Sequence, residues 1–126
     1  MLALIENPAD AYRRSAFDAR VRAAKAGDLV IVCLEQVAEG LGKALAAHRK
    51  NDRSRRAEGL THAHAALTAL EMGIDRSGPL AGALGQLYSA ARKQVLDCVT
   101  DFRPEPLETV MVDFAEIAEA MRIKAA

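Results

Sequence analysis

Residues 28–49 read DLVIVCLEQVAEGLGKALAAHR, and apolar side chains recur along this stretch at steps of three or four residues. That spacing places them on one stripe of an α-helix. The opening residues 29–34 are apolar on every side, which is also typical of a buried strand. A strand needs a pairing partner, and the only other β-branched cluster, residues 109–112, lies in a helical pattern of its own. We therefore expect a helix here that is covered on more than one side. Its stripe consists of Val30, Leu34, Val37, Leu41 and Leu45.

Three further apolar stripes follow in the chain. Asp52 suits the N-cap of a second helix, and Gly73 marks its end. Pro79 suits the first turn of a third helix, and Pro104 and Pro106 break the chain before a fourth. The inward positions are Leu60, Ala63, Leu67, Leu70 and Ile74 in the second helix, Leu80, Leu84, Leu87, Ala91, Val95, Cys98 and Phe102 in the third, and Leu107, Val110, Phe114, Ile117 and Met121 in the fourth.

These four stripes predict an all-α domain. Helices of about 20 residues are about 30 Å long, and short turns between them force neighbours to run antiparallel. We predict an antiparallel up-down-up-down four-helix bundle over residues 28–126, preceded by an N-terminal arm with a short helix over residues 1–27. In the arm, Asn7 suits a helix cap and Pro8 the first helical position. The predicted helices span residues 28–49, 52–74, 79–102 and 105–123.

Composition excludes several classes of partner. The 17 basic and 17 acidic side chains of the 126 residues cancel, whereas proteins that bind nucleic acid usually carry a basic excess. Binding to a membrane surface is disfavoured for the same reason. No apolar run is long enough to span a bilayer, and residues 1–5 lack the basic flank of a signal peptide. We therefore expect a cytoplasmic protein. Cys33 and Cys98 fall in apolar stretches and are expected to be reduced core residues.

The pattern of titratable residues does not indicate catalysis. None of His48, His62 and His64 follows a glutamate by three residues, which is the spacing that di-iron bundles use. A histidine phosphotransfer domain has this size and class, but the lysine and glycine that such domains place after their histidine are missing. We predict a protein that is not an enzyme and binds no metal and no cofactor.

Charge and glycine spacing mark two surface features. Residues 48–56 (HRKNDRSRR) hold five basic side chains, which is typical of a solvated turn or of a docking point for an acidic partner. Gly78, Gly82, Gly85 and Ser89 leave a strip along the third helix that is nearly free of side chains. Such a strip either packs closely against a helix of the same chain or accepts a helix from outside. The sequence leaves both alternatives open, and a homodimer through the glycine and alanine faces is also compatible with it.

Short motifs with a familiar register run along the chain. Residues 7–12 (NPADAY) resemble an Asn-Pro-Tyr-x-x-Tyr opening, and residues 21–24 (VRAA) resemble a Val-x-x-Ala segment. Residues 29–36 (LVIVCLEQ) are similar to the start of a first long helix, Leu-Val-x-x-Leu-Tyr-Asp-Gly. Residues 78–88 (GPLAGALGQLY) are similar to a third helix, and residues 104–108 (PEPLE) to the turn into a fourth. Together these motifs resemble the FliS family of flagellin export chaperones.

This resemblance implies a cytosolic chaperone that binds the C-terminal segment of flagellin, prevents premature polymerisation and delivers the client to the flagellar type III export gate. It also implies an arm that folds over the client groove, with Ile5 and Tyr12 as the matching residues. We expect the groove on helix three, with helix two or four as its other wall. The rival hypotheses are a helical adaptor for a protein unrelated to flagella and a histidine phosphotransfer bundle. The candidate partner-binding residues are Leu80, Leu84, Gly85, Leu87 and Tyr88.

Overall fold

The computed structural model describes residues 8–9 and 26–125, and the longer of these ranges folds into four α-helices. They are α1 (Ala26–Arg49), α2 (Arg53–Met72), α3 (Ala81–Thr100) and α4 (Pro104–Ala125). No strand occurs in this part of the chain, so the apolar residues 29–34 belong to a helix and the strand alternative is wrong. The predicted all-α four-helix bundle is confirmed. Among the described residues, no helix is long and apolar enough to cross a membrane.

Helix α1 organises the bundle, because it packs against both α2 and α4, while α3 packs mainly against α2. Contacts between α1 and α4 run in opposite directions along the two helices. The Glu35 carboxylate lies 3.0 Å from Arg122 late in α4, whereas Gly42, further along α1, faces the earlier Met111. The up-down-up-down order of all four helices stays a prediction, which this antiparallel pair supports.

The turn between α1 and α2 is short, because only residues 50–52 connect the two helices. Asn51 has a φ of 54°, a left-handed conformation that asparagine tolerates better than most residues. Its N–H donates to the carbonyl of His48, and the N–H of Asp52 donates to the carbonyl of Ala47. Asp52 is at the same time the predicted N-cap of α2, because its carboxylate accepts the N–H of Arg55 at 3.1 Å. One residue therefore ends one helix and starts the next.

The turn before α3 differs from the prediction. The Asp75 carboxylate accepts the hydroxyl of Ser77 at 2.6 Å and its N–H at 3.0 Å, and these bonds hold the pKa of Asp75 below its usual value. The chain then continues in turns, so α3 begins at Ala81. The placement of Pro79 in the first turn of α3 is wrong, because this proline precedes the N-cap residue Leu80. Pro104, expected to break the chain, instead occupies the first position of α4.

The core is built mainly from leucine and alanine. Phe114 is its largest fully buried side chain, and the ring of Tyr88 lies 6.2 Å from it, centroid to centroid. All four helices contribute, and the described residues include no buried charged side chain. The remaining buried residues of the main cluster are Leu34, Val37, Leu41, Ala44, Leu45, Leu60, Ala63, Ala66, Leu67, Leu70, Ala91, Val95, Cys98, Leu107 and Ala118.

Helices α1 and α2 approach each other so closely that their backbones touch. A Cβ on Gly59 would lie 2.6 Å from the backbone nitrogen of Ala44 and 2.6 Å from the carbonyl oxygen of Gly40. A Cβ on Gly40 would lie 2.8 Å from the nitrogen of Ala63. Real Cβ atoms do not approach other atoms this closely, so only glycine fits at either position. The sequence carries a signal for this contact, because Gly40 and Ala44, like Gly59 and Ala63, are four residues apart and share a helix face.

We expect Gly59→Ala to lower the free energy of unfolding by about 1–3 kcal/mol, because the added methyl group forces α1 and α2 apart. Gly85→Ala is the matched control, since its Cβ would meet only an Arg76 nitrogen at 3.9 Å. That control should gain up to about 1 kcal/mol from the higher helix propensity of alanine. Urea denaturation of both variants measures the difference. A Gly59→Ala variant as stable as the parent would contradict the close approach.

Candidate partner-binding groove

The glycine strip of α3 faces outward. A Cβ on Gly82 would meet nothing within 4 Å, and Gly85 has only the side chain of Arg76 at that limit. Ser89 is exposed on the same side of the helix. Close packing of this strip against another described helix is therefore excluded, and the open alternative remains. The small residues that do pack closely are those at the interface of α1 and α2, such as Gly40 and Gly59.

Two cavities lie between α2 and α3, one at the start of α2 and the end of α3, the other at the end of α2 and the start of α3. The first, which we call the glycine cavity, has a volume of about 580 Å³. The second, which we call the apolar groove, has a volume of about 250 Å³. Residues lining the glycine cavity are Glu71, Ile74, Arg76, Ala81, Gly82, Gly85, Gln86, Ser89, Ala90 and Lys93. Residues lining the apolar groove are Arg53, Arg56, Ala57, Leu60, Thr61, His64, Val95, Leu96 and Val99.

The apolar groove combines a buried floor with exposed apolar walls. Leu60 and Val95 form the floor and belong to the main core. Leu96 is 49% exposed and Val99 is 63% exposed, although both are large apolar side chains. Covering them would remove apolar surface from water at about 25 cal/mol per Å². The groove therefore favours an apolar partner.

A stacked cluster stands at one end of the apolar groove. The rings of His48 and Phe102 stack with their centroids 4.4 Å apart. The guanidinium of Arg56 lies 5.0 Å above the centre of the Phe102 ring, and its Nη1 donates to Nδ1 of His48 at 3.4 Å. These contacts join the end of α1, the first turns of α2 and the connection between α3 and α4. They also fix the position of the Arg56 guanidinium, which lines the groove.

An ion pair crosses the α2–α3 interface at the glycine cavity. Arg92 of α3 contacts Oε2 of Glu71 at 3.2 Å. The other carboxylate oxygen of Glu71 is buried and has no hydrogen-bond partner among the described residues.

Deeper in the bundle, burial raises the pKa of Tyr88, with a further contribution from Cys33. Burial also raises the pKa of the Cys33 thiol. The core side of α3 is therefore neutral, and its charges lie at the surface.

The residues predicted to bind a partner do not share one surface. Leu80 is 63% exposed, just before α3, and Gly85 lines the glycine cavity. Leu84 and Leu87 are half-buried against the core, and Tyr88 is only 4% exposed. Tyr88 therefore supports the helix from inside. The predicted arm residues, Ile5 and Tyr12, lie outside the described residues.

Sequence reasoning missed the apolar groove. Its exposed side chains, Leu96 and Val99, are three residues apart and lie beside the buried stripe of α3 that includes Val95. The sequence signal for this groove was a pair of apolar residues next to the core stripe of α3.

Within residues 26–125, no three His, Cys, Asp or Glu side chains come together in a way that could hold a metal ion.

Comparison with known proteins agrees with the sequence motifs. The family described as flagellar protein FliS matches residues 8–122, which is nearly the whole chain. A search of the curated proteins finds no match.

The contact between Arg56 and Phe102 should be measurable by a double-mutant cycle with Arg56→Met and Phe102→Leu. We expect a coupling free energy of about 0.5–1 kcal/mol in urea denaturation, as for other partly exposed cation–π pairs. The matched control is Arg55→Met combined with Phe102→Leu, because Arg55 carries the same charge but pairs with Asp52 instead. A coupling as small as that of the control would contradict the stacked geometry.

Proposed function

We propose that this chain, which belongs to the flagellar protein FliS family, docks the C-terminal segment of flagellin on the α2–α3 face. Membership of the family implies a flagellin export chaperone role. We add to this role a proposal for where the flagellin segment is held and how. Binding and masking a client involve no bond-making chemistry, so we propose a protein that acts without catalysis, metal or cofactor.

The apolar groove, which no other described helix covers, supports this proposal most directly. Leu96 and Val99 expose apolar surface beside a floor that is already part of the core. The small residues Gly82, Gly85 and Ser89 continue this face along α3. From residue 82 to residue 99 the face is about 26 Å long at about 1.5 Å per residue. That length accommodates a client helix of about 17 residues laid along α3.

The glycine strip suits a client that orders as it binds. Residues without bulky side chains let a second helix backbone approach α3 closely over the glycine cavity, while Leu96 and Val99 contact its apolar side. A disordered segment loses conformational entropy when it folds on a surface, so the apolar contact must outweigh that cost. While it is held there, the client's apolar side is covered and unavailable for polymerisation. We propose that the complex forms in the cytoplasm and is delivered to the flagellar export gate.

Calorimetry with the C-terminal segment of flagellin from the same organism tests the docking face. We expect Leu96→Gln combined with Val99→Gln to weaken binding by about tenfold or more, because both side chains lose apolar contact with the client. Val112→Gln is the control, since Val112 is also exposed, at 47%, but lies on α4. Absence of heat with the unmodified protein would contradict the proposed function. Equal weakening by the control would place the client elsewhere.

Removing residues 1–12 tests the arm that the family resemblance implies. We expect the shortened chain to keep its helical circular dichroism and to bind the flagellin segment about two- to tenfold more tightly. An arm that occupies the groove part of the time lowers the apparent affinity by the fraction of time the groove is open. Unchanged or weaker binding would show that residues 1–12 do not compete with the client.

A further inference from the structure

The charged side chains that line the apolar groove are two arginines, Arg53 and Arg56. Within the described part of the chain, no carboxylate lines it. A partner that covers Leu96 and Val99 would exclude water from that side of the groove, so a charge on the docked partner would be screened less than on an open surface. The end of the groove at Arg53 and Arg56 is positively charged and therefore favours a partner with negative charge.

Neither Arg53 nor Arg56 forms an ion pair with any of residues 26–125, and the same holds for Arg49 and Arg76. Other arginines of the same bundle do, since Arg92 contacts Glu71 at 3.2 Å and Arg103 contacts Asp101 at 2.9 Å. Arg55, in the same turn of α2 as Arg53, contacts Asp52 at 3.6 Å. The two groove arginines thus keep their charge available for another molecule.

The Arg56 guanidinium is held in place before any partner binds. It lies over the Phe102 ring and donates one N–H to His48. A guanidinium has several further N–H donors in a planar fork that matches a carboxylate. Because its position is already fixed, less conformational entropy is lost when it binds a carboxylate. Arg53 is exposed beside it at the first position of α2.

We propose that the occupant of the apolar groove is an amphipathic helical stretch of the flagellin client that carries an acidic side chain over Arg53 and Arg56. This inference rests on the proposed function and adds the chemistry and direction of docking. The apolar side of the client helix covers Leu96 and Val99, and its Asp or Glu carboxylate accepts hydrogen bonds from the two guanidinium groups. The charge pair fixes which end of the client helix lies at the turn between α1 and α2.

Binding of the flagellin C-terminal segment to two matched variants tests the charge pair. Arg53→Gln should weaken binding by about fivefold, because it removes a charge that faces the groove. Arg55→Gln removes the same charge from the same turn of α2, but that side chain pairs with Asp52, and its effect should stay below about twofold. Raising the salt concentration should weaken binding of the parent protein more than binding of Arg53→Gln. Thermal unfolding followed by circular dichroism checks that both variants are folded.

Changes in the client identify the partner group. Replacing each Asp and Glu of the segment singly by Asn or Gln should reveal one position whose loss matches Arg53→Gln and adds nothing to it. Changing that client residue to Lys should weaken binding to the parent protein, and Arg53→Glu should restore it. Amidating the C-terminus of the segment should have no effect. If amidation alone reproduces Arg53→Gln, the terminal carboxylate is the ligand and the assignment to a side chain is wrong.

Other results separate this inference from the proposed function. If the segment binds, Leu96→Gln weakens it and Arg53→Gln does not, the docking face stands and the charge pair is wrong. If the segment does not bind the parent protein, the proposed function and the charge pair both fail. If sedimentation shows that the free chain dimerises and Arg53→Gln abolishes the dimer, a second copy of the chain occupies the groove, which also overturns the proposal.

Discussion

The contact between the backbones of α1 and α2 is the constraint on which the rest of the bundle depends. Gly40 and Gly59 have no room for a Cβ, so these two helices are held closer than leucine-lined helices ordinarily allow. Once α1 and α2 form this pair, α4 packs on α1 and α3 packs on α2. A core with few aromatic residues fills the space, because the central pair leaves little space to fill.

The uncovered groove follows from the same arrangement. Helix α3 has one strong neighbour, α2, and only a small contact with α4. It buries one stripe, which includes Tyr88 and Val95, and leaves the adjoining stripe with Leu96 and Val99 exposed. In a bundle with four equal interfaces, each helix would be covered from two sides. The site is thus a consequence of how unevenly the helices contact each other.

The sequence was sufficient to predict the four helices and the cap at Asp52, but not the site. Periodicity located all four helices, and side-chain chemistry located the cap at Asp52, because both depend on residues within one or two turns. The start of α3 was misplaced, since hydrogen bonds within the turn at Asp75 competed with the proline preference at Pro79. Whether Leu96 is buried or exposed depends on which of the described helices pack against α3. Periodicity in one helix carries no information about that.

The shared turn at Asp52 bears on the order of folding. Because Asn51 and Asp52 close one helix and open the next, the tightest interface of the protein joins segments that are adjacent in the chain. Such local contacts form with little loss of loop entropy, and proteins rich in them fold quickly. All residues of the α1–α2 hairpin have left the ribosome once Met72 has emerged. The hairpin is thus available as a template for α3 and α4, which are synthesised after it.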